Sequence, residues 1–254
     1  MAEPARPILA VLIDADNTPA RLAPAIFDEI ARWGEAAVRR VYGDFTSNHI
    51  AGWSRVQAEH GLVPHHAPAH TVGKNSSDIA LVIDAMDLLH AGRFDGFVLI
   101  SSDSDFTRLA SRIREQGLEV IGIGQQKTPE SFRKACKRFV FLENLSAPLI
   151  PVADSAADRP AGAEERAAPA PAPAARSLRP LTEAKTLLLS ALDAASDADE
   201  WVHLGVLGQQ ITASNSEFDP RSYGHKKLSD LVRAIKIIET REGAANQLMV
   251  RRRD

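Results

Sequence analysis

Through the first 145 residues, short aliphatic runs alternate with longer amphipathic stretches. "PILAVLID", "VRRVYGDF", "LVPHH", "GFVLISSD" and "LEVIGIG" predict β-strands, and the segments around Ala20 to Trp33, Asn48 to His60, Ser77 to Ala91 and Asp105 to Gln116 predict helices. Such alternation builds an α/β architecture, a mostly parallel sheet covered by helices. Ligands of these sheets bind at the carboxyl ends of the strands.

The pattern stops at Pro151. From there to Arg176 the chain reads "PVADSAADRPAGAEERAAPAPAPAAR", with no aromatic residue and no usable period, and cannot bury enough surface to offset its ordering entropy. Its Ala-Pro repeats favour extended conformers of about 3.1 Å per residue. The division is therefore 1–150, a linker over 151–176, and a smaller domain over 177–254. A tether of this kind predicts modules coupled by proximity, without a fixed interface.

In the smaller domain, "LTEAKTLLLSALDAA" predicts a helix, "WVHLGVLGQQITASN" a short strand and helix, and "DPRSYGHKKLSDLVRAI" a further helix opened by Asp219 and Pro220. "KIIETREGAANQLMVRRR" alternates around Gly-Ala-Ala-Asn as a hairpin does. Helices followed by such a hairpin predict a winged-helix-like arrangement. Charge is uneven here: Ser177 to Phe218 carries two basic and six acidic residues, Asp219 to Asp254 nine basic and five acidic. The third helix and the wing are the expected contact surface.

Composition narrows the class. Hydrophobic residues at 44% and charged residues at 25% are ordinary for a globular protein. The run "ILAVLI" falls far short of the roughly 20 residues a membrane-spanning helix needs, and no basic-then-apolar leader precedes it, so a cytoplasmic location is expected. Cys136 is the single cysteine, which excludes an internal disulfide and a multi-cysteine zinc site. A net charge of -3 means that any basic surface is local.

The chemistry gathers where strands end. Asp14, Asp16 and Asn17 leave the first strand, Asp103 and Asp105 leave "GFVLISSD", and Asp78 falls in the first turn of a helix that Ser76 or Ser77 could cap. Singly, each reads as a turn former or a helix-start acid. Together, carboxylates from three elements aimed at one edge repel one another unless a hard cation such as Mg²⁺ or Mn²⁺ neutralises them. Asp84 lies roughly 240° around the helix from Asp78 at 100° per residue, which suits a supporting or structural role. Asp16 faces a similar limit from strand alternation, and Asn17 could orient a carboxylate or a water.

"LIDADN", "KNSSDIALVIDA" and "ISSDSDF", in this order and spacing, resemble the NYN family, a branch of the PIN-like ribonucleases. The resemblance implies a Rossmann-like sheet, a divalent metal held by acidic side chains, and RNA cleavage. Carried over motif by motif, it implies Asp14, Asp78, Asp103 and Asp105 as metal-holding catalytic acids with Asn17 assisting. "DPRSYGHKKLSDLV" and the hairpin after it resemble the LOTUS domain, also called OST-HTH, which implies RNA binding or protein docking. Arg221, Tyr223, His225, Lys226 and Lys227, with Arg251 to Arg253, are the candidates there; packing against the hairpin is the alternative for Tyr223.

"VLIDADNT" also fits the DxDxT pattern of haloacid-dehalogenase-type phosphatases, but no Asp occurs between Phe106 and Ala153 to supply their later acidic pair. "KTPESFRKACKRF" carries five basic residues against one acid; it is either a solvated helix face or a phosphate-contacting one through Lys127, Arg133, Lys134 and Lys137, with Lys74 a further candidate. His65, His66 and His70 read as loop histidines because a zinc site needs a fuller ligand set. The expectation is a metal-dependent ribonuclease with RNA as partner; a non-catalytic RNA-binding adapter is the alternative.

Overall fold

The structure is a computed structural model that describes residues 5–46, 51–67, 76–145, 178–195, 201–243 and 247–253. The 151–176 linker, Lys74 and His70 lie outside them. The first unit runs β1 (Ile8–Asp14), α1 (Ala23–Ile30), β2 (Glu35–Gly43), α2 (Ala51–His60), β3 (Val63–His66), α3 (Ser76–His90), β4 (Gly96–Ile100), α4 (Thr107–Glu115), β5 (Glu119–Gly124), α5 (Glu130–Ala135), β6 (Arg138–Phe141) and α6 (Leu142–Leu145). All six strands are parallel, in the order β3-β2-β1-β4-β5-β6. The order reverses between β1 and β4, and at that point a crevice opens above the strand ends.

Two-residue alternation sorts the core into two layers. Ala10 and Leu12 of β1 pack with Leu81, Ala85 and Leu88 of α3 and Leu109 and Ile113 of α4. Leu9, Val11 and Ile13 face the other way, onto Ala23, Ile26 and Ile30 of α1 and Trp53 of α2. Both faces are buried, which is why β1 and β4 read as unbroken aliphatic runs.

The second unit adds α7 (Leu181–Ala195), β7 (Val202–His203), α8 (Leu204–Ser214), α9 (Leu228–Ala234), β8 (Ile238–Glu242) and β9 (Leu248–Arg252), with an antiparallel sheet ordered β7-β9-β8. Leu188, Leu207, Ile211, Leu231, Val232 and Val250 form its core.

Two elements differ from the sequence expectation. The basic stretch is not one helix: α5 has six residues, and Arg138–Phe141 forms the sixth strand. The stretch from Asp219 is also divided, into a 3₁₀ turn at Pro220–Tyr223 and α9, because Gly224 stands between them at φ 84°. That left-handed conformation ends the turn at little cost only for glycine.

The two units are docked, contrary to coupling by proximity alone. The Phe139 N–H on edge strand β6 donates to the Ser216 carbonyl at 2.8 Å. Glu217 accepts from Arg133 at 2.5 Å and from Arg179 at 3.1 Å, Asn144 donates to Ser222 at 2.9 Å, and Arg221 holds Glu29 of α1 through two hydrogen bonds of 2.8 and 2.9 Å. The Phe139–Ser216 bond occupies a donor of the β6 strand edge, which no other described strand pairs. Among the described residues, no helix is long and apolar enough to cross a membrane.

Candidate active site

Side-chain parity aims the acids. Asp14, the last residue of β1, continues the face of Ala10 and Leu12 toward α3; Phe97 and Leu99 of β4 share that face, and Ser101 is the next residue in step. The Ser101 hydroxyl therefore reaches Asp14 and donates to its Oδ2 at 2.7 Å. Asn17 donates its side-chain amide to the same oxygen at 2.7 Å, while the backbone N–H groups of Asp16 and Asn17 donate to Oδ1 at 3.1 and 3.2 Å. Asp14 is 1% exposed. Burial pushes its carboxyl up, partly offset by the Ser101 and Asn17 bonds.

Ser101 also accepts from the Asp103 N–H at 3.1 Å, so one hydroxyl ties the end of β1 to the turn after β4. Asp103 caps the 3₁₀ turn Ser104–Phe106, its Oδ1 accepting from the Asp105 N–H at 2.9 Å. Asp78 sits half-buried in the first turn of α3. Burial, then the charges of Asp14, Asp103, Asp16 and Asp105, push its carboxyl up to about 6. The structure thus brings the five acids within electrostatic reach of one another, although no three His, Cys, Asp or Glu side chains among the described residues stand close enough to hold one ion as they are. Asp16 is exposed and accepts from the Ser77 hydroxyl at 3.3 Å, which links the β1 loop to α3.

Asp84 does not join them. It accepts hydrogen bonds from Arg40 and Tyr42 of β2, with His65 at 3.8 Å. Burial raises its carboxyl, but the Tyr42 and Arg40 bonds outweigh burial and hold it below the ordinary range. Its work is to seat α3 on the sheet. His66 lies 4.0 Å from Asp44, and the Cys136 thiol, pushed up to about 12 by burial, is no nucleophile.

The basic candidates separate. Lys127 is exposed and lines a cleft of about 450 Å³ with Asp16, Asn17 and Arg21. Arg133, Lys134 and Lys137 line a different cleft of about 1730 Å³ between the two units, beside Glu119 at the start of β5. That is the opposite end of the strands from the acids, and all three are paired, with Glu217, Glu130 and Glu119 respectively. Arg221 is likewise committed, to Glu29 and Asp219. Tyr223 is 4% exposed, packs on Phe218 and donates to Glu183 at 3.3 Å, so it is a core residue and offers no stacking face. Lys226 and Lys227 are exposed in the loop before α9. Arg251 and Arg253 pair with Glu239, and Arg252 lies 3.7 Å from Asp193. Ser101 is a site residue that the sequence motifs do not single out; its two-residue step from Leu99 was the available signal.

Family models match both units of the chain. The NYN domain model matches residues 8–143 and the OST-HTH/LOTUS domain model residues 179–250. The comparison with curated proteins returns no match. Among solved structures, a protein of unknown function from Vibrio parahaemolyticus is 17% identical over 55% of this chain and 94% of its own, with a TM-score of 0.46. An uncharacterised protein from Nitrosomonas europaea is 32% identical over 39% of this chain and 93% of its own, with a TM-score of 0.26. The family match displaces the haloacid-dehalogenase reading. With a Rossmann-ordered sheet whose switch point carries the acids of β1, α3 and the β4 turn, the chain belongs to the NYN family, a PIN-like, nuclease-type family, and carries an OST-HTH/LOTUS domain after it.

Proposed function

We propose that the protein is a ribonuclease requiring Mg²⁺ or Mn²⁺, hydrolysing RNA phosphodiester bonds at this edge while its LOTUS domain retains the RNA. The observation that carries the reading is geometric: Asp14 at the end of β1, Asp78 in the first turn of α3, and Asp103 and Asp105 in the turn after β4 stand at one end of the sheet, with Ser101 bonded to both Asp14 and the Asp103 N–H. Burial and the neighbouring aspartates push the Asp78 carboxyl up to about 6, as expected of charges that repel and would gain from a shared cation. Asp14, Asp78, Asp103 and Asp105 would hold it, and their donors, all carboxylate oxygens, fit a hard divalent ion in kind.

Such an ion, when bound, lowers the pKa of a water and neutralises charge on the phosphate. The chain supplies the rest. Asn17 and Ser101 orient the Asp14 carboxylate, and the Asp103 cap holds the turn that carries Asp105. One observation favours the adapter reading instead: no three acids among the described residues converge as they stand. The deciding assay is cleavage of single-stranded and structured RNA with Mg²⁺ or Mn²⁺, with EDTA and Asp103→Asn as controls. Cleavage abolished by both supports catalysis; RNA binding without cleavage selects the adapter.

A further inference from the structure

The cleft of about 450 Å³ beside the acids falls within the roughly 300–1,000 Å³ of small-ligand sites. It belongs to the other face of the sheet from Asp78. Its walls come from the loop after β1, from α2 and from the loop after β5. Asn17 belongs to both places: it lines the cleft while its amide donates to Asp14. Asn17 thus joins the cleft to the end of β1 that carries Asp14.

The lining suits a nucleotide. Arg21 and Lys127 are both exposed, and, unlike Arg133, Lys134, Lys137 and Arg221, neither forms an ion pair with another described residue. Against them stands one acid, Asp16, so the cleft favours an anion. The remaining wall is Pro19 and Ala20, backed by Trp53, a core residue 1% exposed whose indole N–H donates to the Thr18 carbonyl at 3.0 Å and so fixes the loop after β1. Gly52 completes that wall; a Cβ there would lie 3.1 Å from the Ala20 Cβ, so a side chain would push on Ala20 and displace the wall. Gln125 supplies an amide that both donates and accepts, as a base edge requires.

We propose that this cleft seats one nucleotide of the bound RNA strand, its phosphate against Arg21 and Lys127 and its sugar and base against Pro19, Ala20 and Gln125. The placement next to a scissile phosphate rests on the ribonuclease reading; the nucleotide site itself does not.

The test uses the full chain. Equilibrium dialysis measures binding of uridine and adenosine 5′-monophosphates, with the nucleosides lacking phosphate as comparison, for the unmodified protein, Arg21→Ala, Lys127→Ala and Gly52→Leu; Lys185→Ala, an exposed charge on α7, is the control. Single-turnover RNA cleavage runs in parallel. The monophosphates should bind, and each cationic variant should weaken them about tenfold. Gly52→Leu should weaken nucleoside and nucleotide alike, with circular dichroism showing it folded. In cleavage, Arg21→Ala should raise the half-saturating RNA concentration about tenfold and leave the saturated rate within about twofold. Absence of nucleotide binding, or binding equal in the unmodified protein and both cationic variants, overturns the proposal even where RNA is cleaved. Variant-sensitive nucleotide binding without cleavage supports the cleft and removes the ribonuclease reading.

Discussion

Arg221→Ala should uncouple the two units. The guanidinium grips Glu29 of α1 through hydrogen bonds of 2.9 and 2.8 Å and Asp219 through bonds of 2.7 to 3.0 Å, while the Glu29, Asp219 and Arg221 side chains are 7%, 10% and 16% exposed. Deleting the arginine leaves two nearly buried carboxylates facing each other without their shared cation. Removing one partner of a buried pair costs about 3–5 kcal/mol, most of it the stranded charge. Arg32 still reaches Glu29 at 2.9 Å, which places the expected loss near the lower end, about 3 kcal/mol. Urea unfolding followed by tryptophan fluorescence and circular dichroism reads it: one cooperative transition in the unmodified protein, two separated transitions in the variant. In a double-mutant cycle, Glu29→Gln with Arg221→Ala should cost less than the two single losses summed, since neither leaves the other stranded. A variant that unfolds in the same single transition, within about 0.5 kcal/mol of the parent, would refute the clamp and return the units to independent modules.

Three further outcomes are expected. The Asp78 carboxyl, at about 6 in the folded protein against an ordinary 3.8, binds its proton more tightly when folded, so in EDTA stability should fall as pH rises between those values; Asp78→Asn should flatten that slope in pH-dependent urea melts, and excess Mg²⁺ should shrink it. Ser101→Ala removes the hydroxyl that donates to Asp14 and accepts from the Asp103 N–H, and should cost about 1–3 kcal/mol in urea melts, with single-turnover cleavage falling as Asp14 loses its orientation. Lys226→Glu with Lys227→Glu should weaken RNA binding and lower its salt slope by about 0.7 for each phosphate the lysines no longer neutralise, measured by fluorescence anisotropy across salt concentrations; unchanged affinity would move the LOTUS domain toward protein docking.

The strands β1 and β4 were legible because a strand buried on both faces must be apolar throughout, and an acid at its last residue or just beyond stands at the carboxyl end of the sheet. Asp14 and Asp103 were visible for that reason, and Asp78 for its place in a helix's first turn. Strand β6 was not legible: Arg138–Phe141 is four residues long and follows a basic run, so its apolar residues read as the end of a helix. The break at Gly224 was open to view in principle, yet the charge pattern around it resembled one continuous helix.

Local order, the alternation of strand and helix, the parallel-sheet class of fold and the family motifs follow from residues near one another in the chain, because two-residue and helical periods are short-range properties. Partnership is another matter. Arg221 and Glu29 are 192 positions apart, and Asp14 and Ser101 87 apart. An arginine or serine looks alike in the sequence whether it faces RNA, a carboxylate or water. Which cations stay without an ion-pair partner among the described residues, as Arg21 and Lys127 do, and which are consumed in docking, as Arg133 and Arg221 are, depends on burial and on the groups that packing brings within about 3 Å of them, and those are properties of the folded chain alone.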